Sequence, residues 1–349
     1  MKYTGYIGTY TKGDSKGIYS FTLNTDEKKL GEVSVAAAIG SPTYLNLSKD
    51  NRFVYAVANA GEAGGVVAYS RNTETGELKE LNRQLLQGAS PCHVSVNDEN
   101  QFVVSANYHN GTIQSYEMNA ESETLYPSLS IKKHEGDGPN KERQDGPHAH
   151  YAGFTPDQKY VAAIDLGTDK LYTYELNKGE LNEIHSLHLT AGSGPRHMTF
   201  HPNGKIAYLM TELSNEVVVL AYNEENGSFK ELQYISTIPD DFTENNQGSA
   251  IHISSDGRFV YAANRGHDSI AVFSTNSDTG ELTFVDRTST EGNWPRDFAL
   301  DPTEKFLIAS NQESSSLVLF ERNPETGTLT LLQSDVTVPD PVCVKFLNQ

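Results

Sequence analysis

The chain has 349 residues, of which 37% are hydrophobic, so it is long enough to bury a sizeable core. Its formal net charge of −19 argues against nucleic acid or an anionic membrane surface as a partner, because both require a basic face. No stretch approaches 18 consecutive apolar residues, and the opening "MKYTGYIGTYTKG" lacks the apolar segment of a signal peptide. We therefore expect a soluble, cytoplasmic protein.

A unit of roughly 50 residues recurs along the chain. The copies align without gaps on an apolar residue that opens a strand: Phe53, Phe102, Tyr160, Ile206, Phe259 and Phe306. A turn such as "HPNG" or "SSDG" precedes each of these residues, and an apolar run such as "FVYAVAN" follows it. Another alternating strand, a glycine turn such as "NTETGEL" and a more polar strand complete the unit.

Four short strands per unit, with almost no helical periodicity, are typical of a β-propeller blade. The alternative is a sandwich of unrelated strands. The first 40 residues supply three further strands, and "PVCVKFLNQ" at the other end resembles a first strand. We predict an all-β, seven-bladed β-propeller with four antiparallel strands per blade, forming a single domain over residues 1–349. The last blade is closed by both termini, which removes exposed sheet edges.

The blades place equivalent residues around one mouth of the central channel. We name the strands of a blade A to D from the channel outward, so the start of A and the end of B share a face. The starts of strand A are Thr43, Cys92, His150, Arg196, Ser249, Arg296 and Val342. The ends of strand B are Ala58, Asn107, Asp165, Thr211, Asn264 and Asn311. The positions after those ends include Tyr108, Leu166, Glu212, Arg265 and Gln312.

Positive charge gathers at this mouth although the chain is strongly acidic. The charged side chains expected there are His150, Arg196, Arg265, Arg296, Asp165 and Glu212. Arginine is costly to hold near a channel unless it is paired, so the cluster favours a small anionic ligand. The alternative reading applies to Asn107, Asn264 and Asn311, since asparagines at strand ends often only tie down turns.

Three further features lie near this mouth. In "HAH", His148 and His150 are expected to face the same way on a strand, as a metal pair would, but no third ligand is evident. Two long connections, 132–146 and 239–248, lie on the face of the charged cluster. Long ordered loops in a compact fold tend to be functional lids.

The sequence resembles the lactonase family of seven-bladed propellers, which includes bacterial 6-phosphogluconolactonase and fungal carboxy-cis,cis-muconate cyclase. The resemblance covers essentially the whole chain and is most specific in "GPRHMTFHPNG" (194–204), "TELSNEV" (211–217) and "IHISSDGRFVYAANR" (251–265). It implies catalytic roles for His150, Arg196, Glu212 and Arg265, with His150 rather than His148 as the matching histidine. We assign substrate binding to His148, Asp165, Arg296 and Asn107.

The resemblance implies hydrolysis of a sugar-phosphate lactone, above all 6-phospho-D-glucono-1,5-lactone to 6-phosphogluconate in the pentose phosphate pathway. Either Glu212 or His150 would be the base, Arg196 and Arg265 would stabilise the oxyanion, and Arg296 would hold a phosphate by a forked contact. The other readings are a cycloisomerase or lactonase of another lactone, and a non-catalytic propeller that binds a ligand or protein. We expect no cofactor, no metal, and a monomer or weak homodimer.

Overall fold

A computed structural model describes residues 1–348, and every regular element within them is a β-strand. Residues 1–348 therefore contain no helix that could cross a membrane. The predicted single domain over residues 1–349 includes Gln349, which lies outside the described residues. The strands form seven antiparallel sheets, which are the blades of a propeller.

The strands follow one another in the predicted blade order. The chain begins with most of the closing blade: β1 (Lys2–Thr9), β2 (Gly17–Asn24), β3 (Lys29–Leu30) and β4 (Ser34–Ala38). Blades one and two are β5 (Leu45–Leu47), β6 (Phe53–Ala60), β7 (Ala63–Arg71), β8 (Leu78–Gln87), β9 (His93–Val96), β10 (Phe102–Asn107), β11 (Thr112–Asn119), β12 (Thr124–Leu125) and β13 (Ser130–Lys133). Blades three and four are β14 (Ala149–Phe154), β15 (Tyr160–Asp165), β16 (Lys170–Asn177), β17 (Glu180–His188), β18 (Pro195–Phe200), β19 (Ile206–Thr211), β20 (Glu216–Tyr222) and β21 (Phe229–Ser236). Blades five and six, followed by the returning strand of the closing blade, are β22 (Gln247–Ile253), β23 (Phe259–Arg265), β24 (Ser269–Thr275), β25 (Leu282–Ser289), β26 (Pro295–Leu300), β27 (Phe306–Asn311), β28 (Ser316–Arg322), β29 (Leu329–Thr337) and β30 (Pro341–Phe346).

The blades form a closed ring. Each innermost strand contacts the innermost strands of the two neighbouring blades, in the order β5, β9, β14, β18, β22, β26, β30 and back to β5. Within the closing blade, β1 lies between β2 and β30, with Gly5 opposite Phe346 and Gly8 opposite Cys343. The predicted closure by both ends of the chain is confirmed, and so is the start of the second strand at every aligned residue.

Two blades depart from the predicted four strands, because their outermost strand is interrupted. In the second blade, β12 and β13 both pair with β11, and Pro127 lies between them. Proline has no N–H to donate to a ladder, so the strand breaks there. In the closing blade, β3 and β4 pair with different halves of β2.

The recurring "NxxTG" turns connect neighbouring blades as well as neighbouring strands. At positive φ, Gly76, Gly280 and Gly327 close these turns. Their carbonyls accept hydrogen bonds from tyrosines on strand B of the adjacent blade: Tyr6 to Gly76 at 2.7 Å, Tyr208 to Gly280 at 2.9 Å, and Tyr261 to Gly327 at 2.9 Å. The repeated turn thus fixes each blade against the one beside it.

The hydrophobic core lies between the blades. Tyr208 and Met210 of the fourth blade, for example, pack with Ile251 and Val260 of the fifth, and all four side chains are buried. Apolar side chains from facing sheets therefore hold the innermost strands in fixed positions around the channel.

Candidate active site

A β-bulge marks the start of most innermost strands. The pairing register shifts between Ala149 and Tyr151, between Pro195 and His197, and between Pro295 and Asp297. The residue left unpaired at these shifts is His150, Arg196 or Arg296. A bulge redirects the side chain of the extra residue, and bulges are common beside active sites. The local backbone therefore turns these side chains towards the channel.

The residues predicted to open strand A meet in one ring. A small chamber in the channel is lined by Thr43, Cys92, His150, Arg196, Arg296 and Val342, among others. Ser249, the remaining member of the predicted ring, uses its carbonyl to accept a hydrogen bond from Nη1 of Arg196 at 2.8 Å. One strand position in every blade thus contributes to the same ring.

A wider cavity of about 560 Å³ opens above this chamber. Its wall includes the position after strand B in the second, fourth and fifth blades, occupied by Tyr108, Glu212 and Arg265. Loops supply the rest of the charged and aromatic lining: Tyr10, Lys12, His109, Arg143 and Trp294. A larger groove of about 810 Å³ lies elsewhere, beside the outer strands of the closing blade, and shares no lining residue with this cavity.

Glu212 is the centre of the charge arrangement. Its Oε2 accepts a hydrogen bond from Nη2 of Arg265 at 2.6 Å and lies 3.0 Å from Nε of Arg196, which is not aligned for a hydrogen bond. Its Oε1 accepts a hydrogen bond from Nη2 of Arg143. The Glu212, Arg196 and Arg265 side chains are each 3% exposed. A single carboxylate therefore faces Arg143, Arg196 and Arg265, and the group carries net positive charge.

These contacts shift the acidities within the group. Burial alone would raise the pKa of Glu212, but Arg265, Arg196, His150 and Arg143 outweigh it and hold that pKa well below its usual range. Burial lowers the pKa of Arg265 to about 9, so its guanidinium remains protonated at neutral pH. Glu212 is accordingly ionised and a weak proton acceptor.

His150 has a different state. Burial, followed by the charge of Arg196, lowers the pKa of this histidine well below 6.5, so its imidazole is neutral. Its Nδ1 is buried without a hydrogen-bond partner among the described residues, which leaves Nε2 as the nitrogen facing the cavity. A neutral imidazole next to an ionised carboxylate can accept a proton, since the Glu212 charge favours the imidazolium that results.

Two predicted binding residues, Asn107 and Asp165, point away from this cavity. Asn107 donates from Nδ2 to the carbonyl of Ala89 at 2.7 Å, which ties the second blade to the loop that precedes it. Asp165 lies 2.6 Å from Nδ1 of His134 and accepts the backbone N–H of His148 at 2.8 Å. Asn264 and Asn311 make bonds like that of Asn107. Alternation along a strand explains this, because the end of strand B and the position after it face opposite ways.

His148 lies outside the cavity lining and does not share a strand with His150. The strand β14 begins at Ala149, so the expected pair of histidines on one strand face is wrong. Instead, Nδ1 of His148 lies 3.0 Å from the carbonyl of Tyr108, its Nε2 lies 2.9 Å from Asp145, and its ring stacks on Tyr108 at 4.3 Å. Within residues 1–348, no group of three His, Cys, Asp or Glu residues is arranged to hold a metal ion.

Arg143 is the main functional candidate that the repeat does not reveal. It lies on residues 134–148, the loop between β13 and β14, which covers most of the predicted lid at 132–146; residues 132 and 133 belong to β13. The loop is fixed by Gln144, which is fully buried and donates to the carbonyl of Leu166 at 2.9 Å. The second predicted lid, 239–248, reaches the cavity through Gln247.

Cys92 lines the cavity but is an unreactive thiol. Burial raises its pKa to about 12, and its Sγ lies near the carbonyls of Ala106 and Ala149. A protonated thiol is a weak nucleophile. Cys92 is therefore a poor candidate for a nucleophile in this cavity.

The chain is similar to known proteins over essentially its whole length. A family model described as "Lactonase, 7-bladed beta-propeller" matches residues 4–346. The 6-phosphogluconolactonase of Bacillus subtilis (strain 168) is 59% identical over 348 residues, which cover 100% of this chain and 99% of that protein. A crystal structure of a protein from Lactobacillus plantarum has a TM-score of 0.95 at 42% identity and 100% coverage of both chains. The periplasmic gluconolactonase of Pseudomonas aeruginosa has a TM-score of 0.93 at 30% identity and 99% coverage of both chains.

Proposed function

The chain belongs to the lactonase family of seven-bladed β-propellers, and from this we propose that it hydrolyses 6-phospho-D-glucono-1,5-lactone to 6-phosphogluconate. One observation in the cavity carries the proposal. The neutral imidazole of His150 lies beside arginines whose positive charge exceeds that of their single carboxylate. Ester hydrolysis by water requires this combination of a proton acceptor and cationic donors.

His150 is the general base in this proposal. Water attacks the carbonyl carbon of the lactone while Nε2 of His150 takes one of its protons, so a C–O bond forms and a tetrahedral oxyanion results. The bond from that carbon to the ring oxygen then breaks, and the proton passes from His150 to the departing oxygen. Water is consumed, the ring opens to a carboxylic acid and a hydroxyl, and His150 returns to its neutral form. The carboxylic acid then releases its proton to solvent and becomes the carboxylate.

Arg265 and Arg196 stabilise the oxyanion. Nη1 of Arg265 and Nη2 of Arg196 make no hydrogen bond to any residue within 1–348, whereas the opposite nitrogens of both side chains bind backbone carbonyls. The free nitrogens can therefore donate to a developing negative charge in a largely buried site. Glu212 holds both guanidiniums in place, which makes it a positioning residue rather than the base.

The remaining expectations stay predictions. They concern a cytoplasmic location, the pentose phosphate pathway as the metabolic context, and a monomer or weak homodimer. Substrate binding by Asn107, Asp165 and His148 also stays a prediction, although the contacts that each makes in the structure are with neighbouring backbone groups.

The test is hydrolysis of a panel of lactones, with the spontaneous rate subtracted. The panel contains 6-phospho-D-glucono-1,5-lactone, D-glucono-1,5-lactone and a lactone without a sugar ring. We expect catalysis to be fastest with the phosphorylated sugar. His150→Phe keeps the ring and removes both nitrogens, so kcat should fall by roughly 10²–10⁴-fold. His185→Phe, an exposed histidine on β17, is the control and should behave like the wild type.

Two results would contradict the proposal. If no lactone were hydrolysed faster than it hydrolyses spontaneously, the protein would not be a lactonase. If His150→Phe retained the kcat of the wild type, the assignment of the base would be wrong.

A further inference from the structure

The cavity has a second cationic region, formed by Lys12 and Arg296. Lys12 lies on the loop between β1 and β2, and Arg296 opens β26, so the two come from the closing blade and the sixth blade. Both line the cavity, and both lie over the ring of Tyr10. Nζ of Lys12 is 4.3 Å from the centroid of that ring, and Cζ of Arg296 is 5.4 Å from it.

These two cations lack the partner that the other arginines have. Among the side chains that the structure describes, no carboxylate lies within 4.0 Å of Lys12 or Arg296, whereas Arg143, Arg196 and Arg265 all contact Glu212. The hydrogen bond of Arg296 goes to the neutral amide of Gln312, at 3.4 Å. Two unpaired cations beside one ring leave an excess of positive charge in a protein whose net charge is −19.

The same region offers uncharged hydroxyl groups. The hydroxyls of Tyr10 and Thr43 make no hydrogen bond to any residue within the described chain, and both residues line the cavity. A phosphate monoester has a charge near −2 at neutral pH and three acceptor oxygens. Arginine binds such a group through a fork and lysine as a point charge, so this set of side chains suits a phosphate.

The position of Lys12 and Arg296 fits a phosphate at the end of the sugar that is remote from the lactone carbonyl. Arg296 lines the small chamber together with His150 and Arg196, so it borders the catalytic group. Lys12 is absent from that chamber and lines only the wider cavity above it. A sugar whose carbonyl carbon faces His150 would therefore direct its far end towards Lys12.

We propose that Lys12 and Arg296, which flank Tyr10, form the subsite for the 6-phosphate of the lactone, and that Lys12 is a specificity residue for phosphorylated over unphosphorylated sugar lactones. This inference rests on the proposed lactonase function. Lys12 lies on the connection between the second and third strands of the closing blade, which is longer than the corresponding connection in the other blades. This segment can therefore set specificity while His150, Arg196 and Arg265 stay in place.

The first experiment measures the ratio of kcat/KM for 6-phospho-D-glucono-1,5-lactone to kcat/KM for D-glucono-1,5-lactone. Lys12→Met and Arg296→Met keep apolar bulk and remove one charge each. We expect the ratio to fall about tenfold for Lys12→Met and about tenfold to 100-fold for Arg296→Met, since hydrogen bonds to charged groups have effects of this size. Lys16→Met is the matched control, because Lys16 is an exposed lysine on the same loop that does not line the cavity. A Lys12→Met ratio within twofold of the wild type would overturn the role of Lys12.

The second experiment needs no catalysis and separates this inference from the proposed function. Inorganic phosphate should raise the Tm of the wild type and of Lys16→Met as its concentration increases. The shift should be smaller in Lys12→Met and smallest in the variant carrying both Lys12→Met and Arg296→Met. If the wild type hydrolysed no lactone but showed these shifts, the function would be wrong and the anion subsite would stand. Equal shifts in all variants would overturn the subsite itself.

Discussion

Arg143 and Glu212 are 69 positions apart and belong to different blades, yet the guanidinium of the first donates to the carboxylate of the second. The pairing brings the loop at residues 134–148 to the cavity that His150, Glu212 and Arg265 line. It also means that Glu212 contacts three guanidiniums, which keep its carboxylate ionised.

Glu212→Gln should destabilise the protein as well as slow the reaction. The substitution preserves shape but leaves buried Arg196 and Arg265 without a countercharge, and breaking a buried ion pair in this way costs about 3–5 kcal/mol. Urea unfolding of the variant and the wild type at neutral pH measures the loss. Its kcat should also fall, since the oxyanion donors lose their alignment. A variant as stable as the wild type would show that Glu212 does not hold the arginines.

Arg143→Gln should affect catalysis more than stability. The Arg143 side chain is 29% exposed, so its pairing with Glu212 contributes less to folding than the buried pairs do. We expect kcat/KM for the phosphorylated lactone to fall about tenfold to 100-fold, with a change in Tm of only a few degrees. Lys141→Gln is the control, because Lys141 lies on the same loop, pairs with Asp137 and is 68% exposed. Unaltered kinetics in Arg143→Gln would exclude the loop from the site.

The stability of the protein should decrease as the pH falls below about 6.5. His93, His150 and His197 are buried, and burial lowers the pKa of each well below 6.5. In the unfolded chain these histidines bind protons at pH 6.5 and below, whereas in the folded chain they do not, so acid favours unfolding. The slope should approach about 1.4 kcal/mol per histidine for each pH unit once the pH is well below 6.5. The pKa of Glu212 is lowered too, but its contribution is lost only below its ordinary value of 4.5.

His197→Phe tests this origin of the acid sensitivity. The ring of His197 packs edge-on against Tyr44 at 5.6 Å and His150 at 5.1 Å, and a phenylalanine preserves that packing. The loss of unfolding free energy between pH 6.5 and 5.5 should be smaller than in the wild type by about 1 kcal/mol, because the unfolded histidine is half protonated at pH 6.5 and almost fully protonated at pH 5.5. The exposed-site variant His185→Phe should keep the wild-type slope. If His197→Phe kept it as well, His197 would not be neutral in the folded protein.

Removal of residues 340–349 should destabilise the whole propeller. The deletion takes away β30, whose Val342, Cys343 and Val344 are buried, and it opens the ring between the sixth and first blades. Thermal melting should show a lower Tm, and Asn348→Ala, which removes only a peripheral contact to Ser48, should shift it far less. A truncated chain that melted like the full one would mean that closure adds nothing to stability.

The blade repeat made most of the fold predictable. The aligned residues Phe53 to Phe306 open their strands as expected, because a turn, an apolar run and a glycine hairpin specify the same local structure in each copy. The ring of strand starts followed from that alignment, since equivalent positions in radially repeated blades must face the same channel. The bulge at His150, Arg196 and Arg296 was not visible in the sequence, yet it is what directs these side chains inward.

The loop residues could not be predicted from the repeat. Arg143 and Lys12 lie on connections of different length, so no alignment between blades assigns them a position. Only the length of the 132–146 connection indicated that something there reaches the site. Asp165 shows that the register alone does not identify a residue that faces the cavity. It lies at the end of strand B as predicted, but its carboxylate contacts His134 and accepts hydrogen bonds from backbone N–H groups.

The way the ring closes has a consequence for substrate choice. The backbone N–H of Tyr10 donates to the carbonyl of Asp340 at 3.1 Å. The aromatic side chain that Lys12 and Arg296 flank is therefore held in place by a contact between the two ends of the chain. Loosening of the closing blade would disturb that end of the cavity before it reached His150 in the third blade. A propeller with a partly opened closing blade would thus lose its preference for phosphorylated lactones before it lost activity. The ratio of activities on the two kinds of lactone would then show whether the propeller is closed.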